Sequence, residues 1–274
     1  MNPLWPAPHP DAAAIVRASG SSFGPAFRLL PRDRRKDLET LYAFCRTADD
    51  IADAGDYPQH ERDAALEAWR AGFRDGEMRD LPENLRELVH RRALDRNLFL
   101  ELLDGTATDL TPKVRMATRA DLDLYCHRVA GTVGQLCLPV FGANPQRSAA
   151  YAETLGRALQ YTNILRDTAS DRQRGRIYYP LDELAAAGID DFPSGAAGYL
   201  ASFAAQAGKL FDEAAARLPR EDRSALRPAR VMSAIYSRLL GKMQRNGWSV
   251  TEKRCRLSLP EKLLAIGAVL SGRQ

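Results

Sequence analysis

Two short stretches place aspartates four residues apart: Asp49 and Asp53 in TADDIAD, and Asp167 and Asp171 in NILRDTASD. On a helix that spacing stacks two carboxylates on one face, where like charges repel by a few tenths of a kcal/mol. A divalent cation between them relieves the repulsion. Mg²⁺ takes oxygen ligands, keeps several waters, and is typically held by one or two carboxylates together with substrate phosphates. Two such faces across a helical cavity would hold a diphosphate through several Mg²⁺ ions. A single stripe of this kind is an ordinary solvated face, and the repetition makes metal binding the better reading.

The neighbours of each pair fit that chemistry. At 100° per residue, Tyr42, Arg46, Asp49 and Asp53 fall within an arc of about 60°, with Asp50 at its edge. Gln160, Asn163, Asp167 and Asp171 share an arc of about 80°, with Leu155, Leu159 and Leu165 beside or behind it. RGRIYYP follows the second stripe, so Arg176, and less directly Arg166, could turn guanidinium forks toward diphosphate oxygens. YCHRVAGTVGQLCLPVFG carries the small residues Ala130, Gly131 and Gly134. They allow either close helix packing or room for an apolar chain walled by Val129, Val133 and Leu136. His127 has no partner at ligand spacing and is expected to be packed or hydrogen-bonded.

The elements that must position these residues are helical. Alternating β-branched runs are nearly absent, while Ala, Leu, Arg and Glu dominate. Helical pattern covers residues 11–19, 34–54, 60–74, 83–95, 97–103, 119–141, 146–173, 181–186, 196–217, 222–246 and 260–270. Breaks fall at GDYP, GANP, GIDDFPSG and Pro219. Thr118 and Asp121 are spaced as a capping box for the helix from 119. No repeat, low-complexity tract or long linker interrupts the 274 residues, and one all-α domain over 1–274 is expected.

Composition narrows the function. Net charge is +4, but the arginines are dispersed and no basic run is interleaved with aromatics, so nucleic acid is not the expected partner. The charge suits an anionic substrate or membrane surface. Four scattered cysteines without a CxxC pair read as reduced residues of a cytoplasmic protein. MNPLWPAPHP lacks the features of a signal peptide, and no apolar run approaches the roughly 18 residues of a membrane span. LPEKLLAIGAVLSG could either pack on the core or rest on the inner face of a membrane.

LLPRDRRKDLETLYAFCRTADDIAD, YCHRVAGTVG and QYTNILRDTASDRQRGRIYYP together resemble the squalene and phytoene synthase family, the head-to-head prenyl transferases. The resemblance runs from ASGSSF at 18–23 to RLSLPEKL at 256–263. It implies the all-α isoprenoid synthase fold with a central cavity and ionisation of an allylic diphosphate assisted by two or three Mg²⁺. It implies Asp49, Asp53, Asn163, Asp167 and Asp171 as metal ligands, with Gln160 beside them. Arg46, Arg166 and Arg176 match diphosphate-binding positions. Tyr125 matches a cavity tyrosine assigned to the chemistry, and Tyr236 a second one. Ser22 and Phe23 match a phosphate-binding stretch, from which this chain lacks the family's histidine. ASGSSF and NGWSVTEKRCRLSLPEKL look most like the bacterial branch that joins two farnesyl diphosphates and stops at presqualene diphosphate, leaving squalene to companion enzymes. GTVGQ is not a dinucleotide fingerprint, and no NADPH is expected. The alternatives are a phytoene, dehydrosqualene or full squalene synthase. A terpene cyclase or head-to-tail prenyl transferase, since DDIAD also reads as DDxxD, and a non-enzymatic helical factor of the same fold are the remaining ones.

Overall fold

The computed structural model describes residues 12, 14, 15, 29–248 and 254–271. The expected helix at 11–19 is described only at 12, 14 and 15, and Ser22 and Phe23 lie outside the described residues. The helices are α1 (Arg32–Asp53), α2 (Gln59–Arg74), α3 (Glu83–Arg92), α4 (Arg96–Ala107), α5 (Arg119–Cys126), α6 (Thr132–Phe141), α7 (Pro145–Gln173), α8 (Leu181–Ala186), α9 (Ala197–Arg217), α10 (Arg227–Arg245) and α11 (Leu259–Leu270). A 3₁₀ turn at Thr108–Leu110 follows α4, and a π-helical turn at His127–Gly131 joins α5 to α6. The one β-bridge among the described residues pairs Arg115 with Ile177.

Apolar residues at helical spacing explain the packing. α1 buries Leu38, Leu41, Phe44, Ala48 and Ile51 along one face. Phe44 sits among Trp69, Phe73 and Phe99, with ring centroids 5.2, 5.4 and 5.2 Å away, and this aromatic cluster joins α1, α2 and α4. α7 is the axis of the molecule: 29 residues, about 43 Å long, capped by Asn144 and started by Pro145. Its buried residues lie nearly all round it, from Tyr151 to Thr168, as in a helix enclosed by others. Buried side chains from Leu30 to Val269 form one continuous cluster.

The small-residue stripe packs helices. A Cβ added at Gly134 would lie 2.7 Å from the Ala152 carbonyl oxygen, and one at Gly156 would lie 2.5 Å from that of Ala130. These glycines let the 127–141 segment approach α7 to backbone contact, so this stripe provides no room for a ligand.

The helix expected at 97–103 runs on to Ala107, and three other departures from the sequence pattern show their cause. α3 stops at Arg92 because Ala93 adopts a left-handed conformation (φ 48°). The 119–141 segment passes through the π turn, where the ladder takes an extra residue per turn. α10 begins at Arg227, not at 222: the buried Asp222 carboxylate accepts from Asn144 N (3.1 Å), Arg147 and Ser148 Oγ (2.7 Å). Asp222 thus anchors the start of α7 instead of entering α10. The Thr118–Asp121 capping box forms as spaced.

Candidate active site

Both aspartate stripes are helical, on α1 and α7. Asp53, at the last position of α1, accepts from Arg174 Nη1 (2.7 Å) and Arg176 Nη1 (2.8 Å). Both arginines belong to the segment that leaves α7. Gly175, at φ 77°, makes the turn, and a Cβ there would lie 2.9 Å from the Pro112 carbonyl. The chain then runs beside 112–117, fixed by Arg176 N to Asp171 O (2.8 Å), Ile177 N to Val114 O (3.0 Å) and Leu181 N to Met116 O (2.9 Å). This local fold carries Arg176 from the end of the second acidic helix to the end of the first.

A residue that sequence reasoning missed stands between the two faces. Asp109, in the 3₁₀ turn after α4, accepts from Tyr178 Oη (2.7 Å) and Tyr125 Oη (2.9 Å), one on each carboxylate oxygen. The two tyrosine rings stack at 4.9 Å. Arg176 Nη2 donates to the Asp109 backbone carbonyl (3.1 Å). The Asp109 charge also acts on Asp49 and Asp171, so the two acidic faces converge around it.

Electrostatics separate the four stripe carboxylates. Burial pushes Asp49 up to about 7 against the opposing charge of Arg46, with Asp109 and Asp53 adding to the rise. Asp49 nevertheless keeps exposed surface. Burial, joined by the Asp167 charge, likewise pushes Asp171 up to about 7. For Asp53 burial acts upward, but hydrogen bonding and charge from Arg176 and Arg174 outweigh it, and its carboxyl lies below the usual value. Asp167 is held in a fork by Arg166 (2.9 and 2.6 Å) and in a second by Arg254 (Nε 2.7 Å, Nη2 2.9 Å). Arg254 was not among the sequence candidates.

The remaining candidates are placed as follows. Arg46 pairs with Asp50 one turn on. Arg166 is hydrogen-bonded to the buried Tyr236 as well as to Asp167. Asn163 Nδ2 donates to Gln160 Oε1 (3.2 Å), while Asn163 Oδ1 is buried without a hydrogen-bond partner. Tyr42, Val129 and Val133 are half-buried against the core. His127 is hydrogen-bonded, by Nδ1 to Glu153 (2.9 Å) and by Nε2 to Glu101 (2.8 Å). Tyr125 is buried, and burial, followed by the Asp109 charge, raises its hydroxyl well above the usual tyrosine range. The four cysteines are free thiols.

The site offers only oxygen donors, which suits a hard cation. The orphaned Asn163 Oδ1 lies on the stripe with Asp167 and Asp171, as a ligand position would. No three His, Cys, Asp or Glu residues among the described ones converge into a complete metal cage.

An all-helical bundle with acidic stripes facing each other on α1 and α7 is the isoprenoid synthase fold. The chain belongs to the squalene/phytoene synthase family, whose profile matches residues 16–261. The presqualene diphosphate synthase of Zymomonas mobilis subsp. mobilis is 38% identical over 251 residues, covering 88% of this chain and 86% of that protein. The phytoene synthase of Thermus thermophilus is 34% identical over 282 residues, covering 97% and 92%. A crystal structure of a dehydrosqualene synthase in complex with ligand superposes with a TM-score of 0.83 at 26% identity, covering 96% of this chain and 95% of that one.

Proposed function

We propose that this protein joins two farnesyl diphosphates head to head in a Mg²⁺-dependent reaction, giving presqualene diphosphate and diphosphate, with the whole chain acting as one domain. The observation that carries the reading is the convergence of two aspartate stripes with an arginine clamp at their junction. The likeness to presqualene diphosphate synthases selects the product.

Asp49 and Asp53 on one face, and Asp167, Asp171 and Asn163 on the other, would hold the metal, with Gln160 orienting Asn163. Bound there, Mg²⁺ would supply the positive charge that makes diphosphate a better leaving group. Arg176, Arg166 and Arg46 bind diphosphate oxygens with their planar forks. The C1–O bond of the first farnesyl diphosphate breaks, and diphosphate departs with the electron pair. The C2–C3 double bond of the second attacks that C1, and loss of a proton closes the cyclopropane. Apolar walls, including Tyr42, Val129 and Val133, exclude the water that would quench the cation. Tyr125 is a poor base, since its hydroxyl is raised and already donates to Asp109. The departing diphosphate takes the proton itself, Tyr125 stands at the site with its hydroxyl committed to Asp109, and Tyr236 holds Arg166 in place. The product keeps one diphosphate, so a companion enzyme must consume it.

No helix among the described residues is long and apolar enough to cross a membrane. α11 instead exposes Leu259, Leu263, Leu264 and Leu270, beside exposed Arg256. These residues support peripheral contact with the inner face of an anionic membrane, into which a lipophilic product would pass.

Turnover should vanish in chelator and return with Mg²⁺. Undiminished turnover in excess EDTA would remove the metal from the proposal.

A further inference from the structure

We infer that Asp109 is a positioning residue that ties the tyrosine pair to the arginine clamp on the first acidic helix; the inference rests on the condensation proposed above. Its two carboxylate oxygens accept separately, from Tyr125 Oη at 2.9 Å and Tyr178 Oη at 2.7 Å. Its backbone carbonyl accepts from Arg176 Nη2 at 3.1 Å, and Nη1 of the same guanidinium bonds Asp53 at 2.8 Å. One short turn therefore fixes the azimuth of Tyr125, through the stacked Tyr178, and the fork that holds Asp53.

The arrangement is specific to a doubly accepting carboxylate. Asparagine at 109 keeps one acceptor and turns the other position into an NH₂ donor, facing a tyrosine hydroxyl that must then accept and turn its own hydrogen elsewhere, so one charge-assisted bond is lost. The backbone carbonyl, and with it the Arg176 contact, stays. Asp109→Asn thus loosens the tyrosines while leaving the diphosphate clamp in place, and it separates positioning from substrate binding. Small misplacements of groups around reacting atoms can cost about 100-fold in rate.

The test uses the full chain with Mg²⁺ and farnesyl diphosphate, and compares wild type, Asp109→Asn, Tyr178→Phe and the double variant. Asp109→Asn should lower kcat by about 10- to 100-fold and leave KM within about 3-fold. Tyr178→Phe should lower kcat less. In the Asp109→Asn background it should add less than about 2-fold, because the partner it loses is already mispositioned. Helical content and Tm near wild type establish that the kcat change is not a loss of folded protein. If Asp109→Asn does not fold, Tyr178→Phe alone decides: reduced kcat at constant KM supports the assignment, and unchanged kcat overturns it. A folded Asp109→Asn with wild-type kcat, or multiplicative effects in the double variant, also overturns it. Wild type that makes no condensation product refutes the proposed function itself, a different result from active variants.

Discussion

Asp49 and Asp171 carry the strongest residue-scale consequence. Both are pushed up to about 7 in the folded chain, from an ordinary value of 3.8. Between roughly pH 4 and pH 7 the metal-free native state therefore binds more protons than the unfolded chain, and its stability falls as pH rises through that window. Asp53 is lowered, so its contribution is complete above its unfolded value and is lost only in more acidic solution. In EDTA, Tm should decline from about pH 5 to about pH 7, and Asp49→Asn should flatten the decline. A profile parallel to wild type would contradict the pKa assignment. With substrate and Mg²⁺ the same variant should lose about two or more orders of magnitude in turnover, since it removes a carboxylate charge from the metal site. The stripes were legible because one helix carries each pair. Asp109 was not: it lies in a non-helical turn, and its partner Tyr178 is 69 residues away. Arg254 meets Asp167 across 87 residues. Such pairings are tertiary and leave no local period to read.

At the scale of elements, the contact between the 127–141 segment and α7 is set by backbone approach. Gly156→Ala would put a Cβ 2.5 Å from a carbonyl oxygen on a rigid neighbour. Equilibrium denaturation should show a loss of about 1–3 kcal/mol, and an unchanged midpoint would mean that the helices can part without cost. The sequence offered both packing and ligand space for this stripe, and only the position of α7 decides between them. The same contact contains His127, bridging Glu101 and Glu153 at the π turn. Burial opposes its protonation, yet the two carboxylates raise it above 6.5. Its contribution is present below the unfolded value and lost as pH rises through the folded one. His127→Gln should therefore narrow the stability gap between about pH 6 and about pH 8, measured by Tm; a gap equal to wild type would show that the bridge carries no charge. Helix existence and type were read well from apolar period. The ends at Ala93 and Asp222 were not, because a left-handed residue and a buried carboxylate serving another helix override the pattern.

For the whole molecule, the exposed leucines of α11 bear on where the product goes. Co-sedimentation with anionic vesicles should drop when Leu259, Leu263 and Leu264 are replaced by Ser, and binding that is unchanged would remove the membrane contact. The central claim concerns the reaction, and product identity tests it most directly. Purified protein with Mg²⁺ and farnesyl diphosphate alone should yield presqualene diphosphate, seen by mass spectrometry and, after phosphatase, as presqualene alcohol. Going on to squalene needs a second ionisation, opening of the cyclopropane and capture of the resulting cation, so added NADPH should leave the product unchanged. Squalene formed with NADPH, or phytoene formed faster from geranylgeranyl diphosphate, would contradict the account.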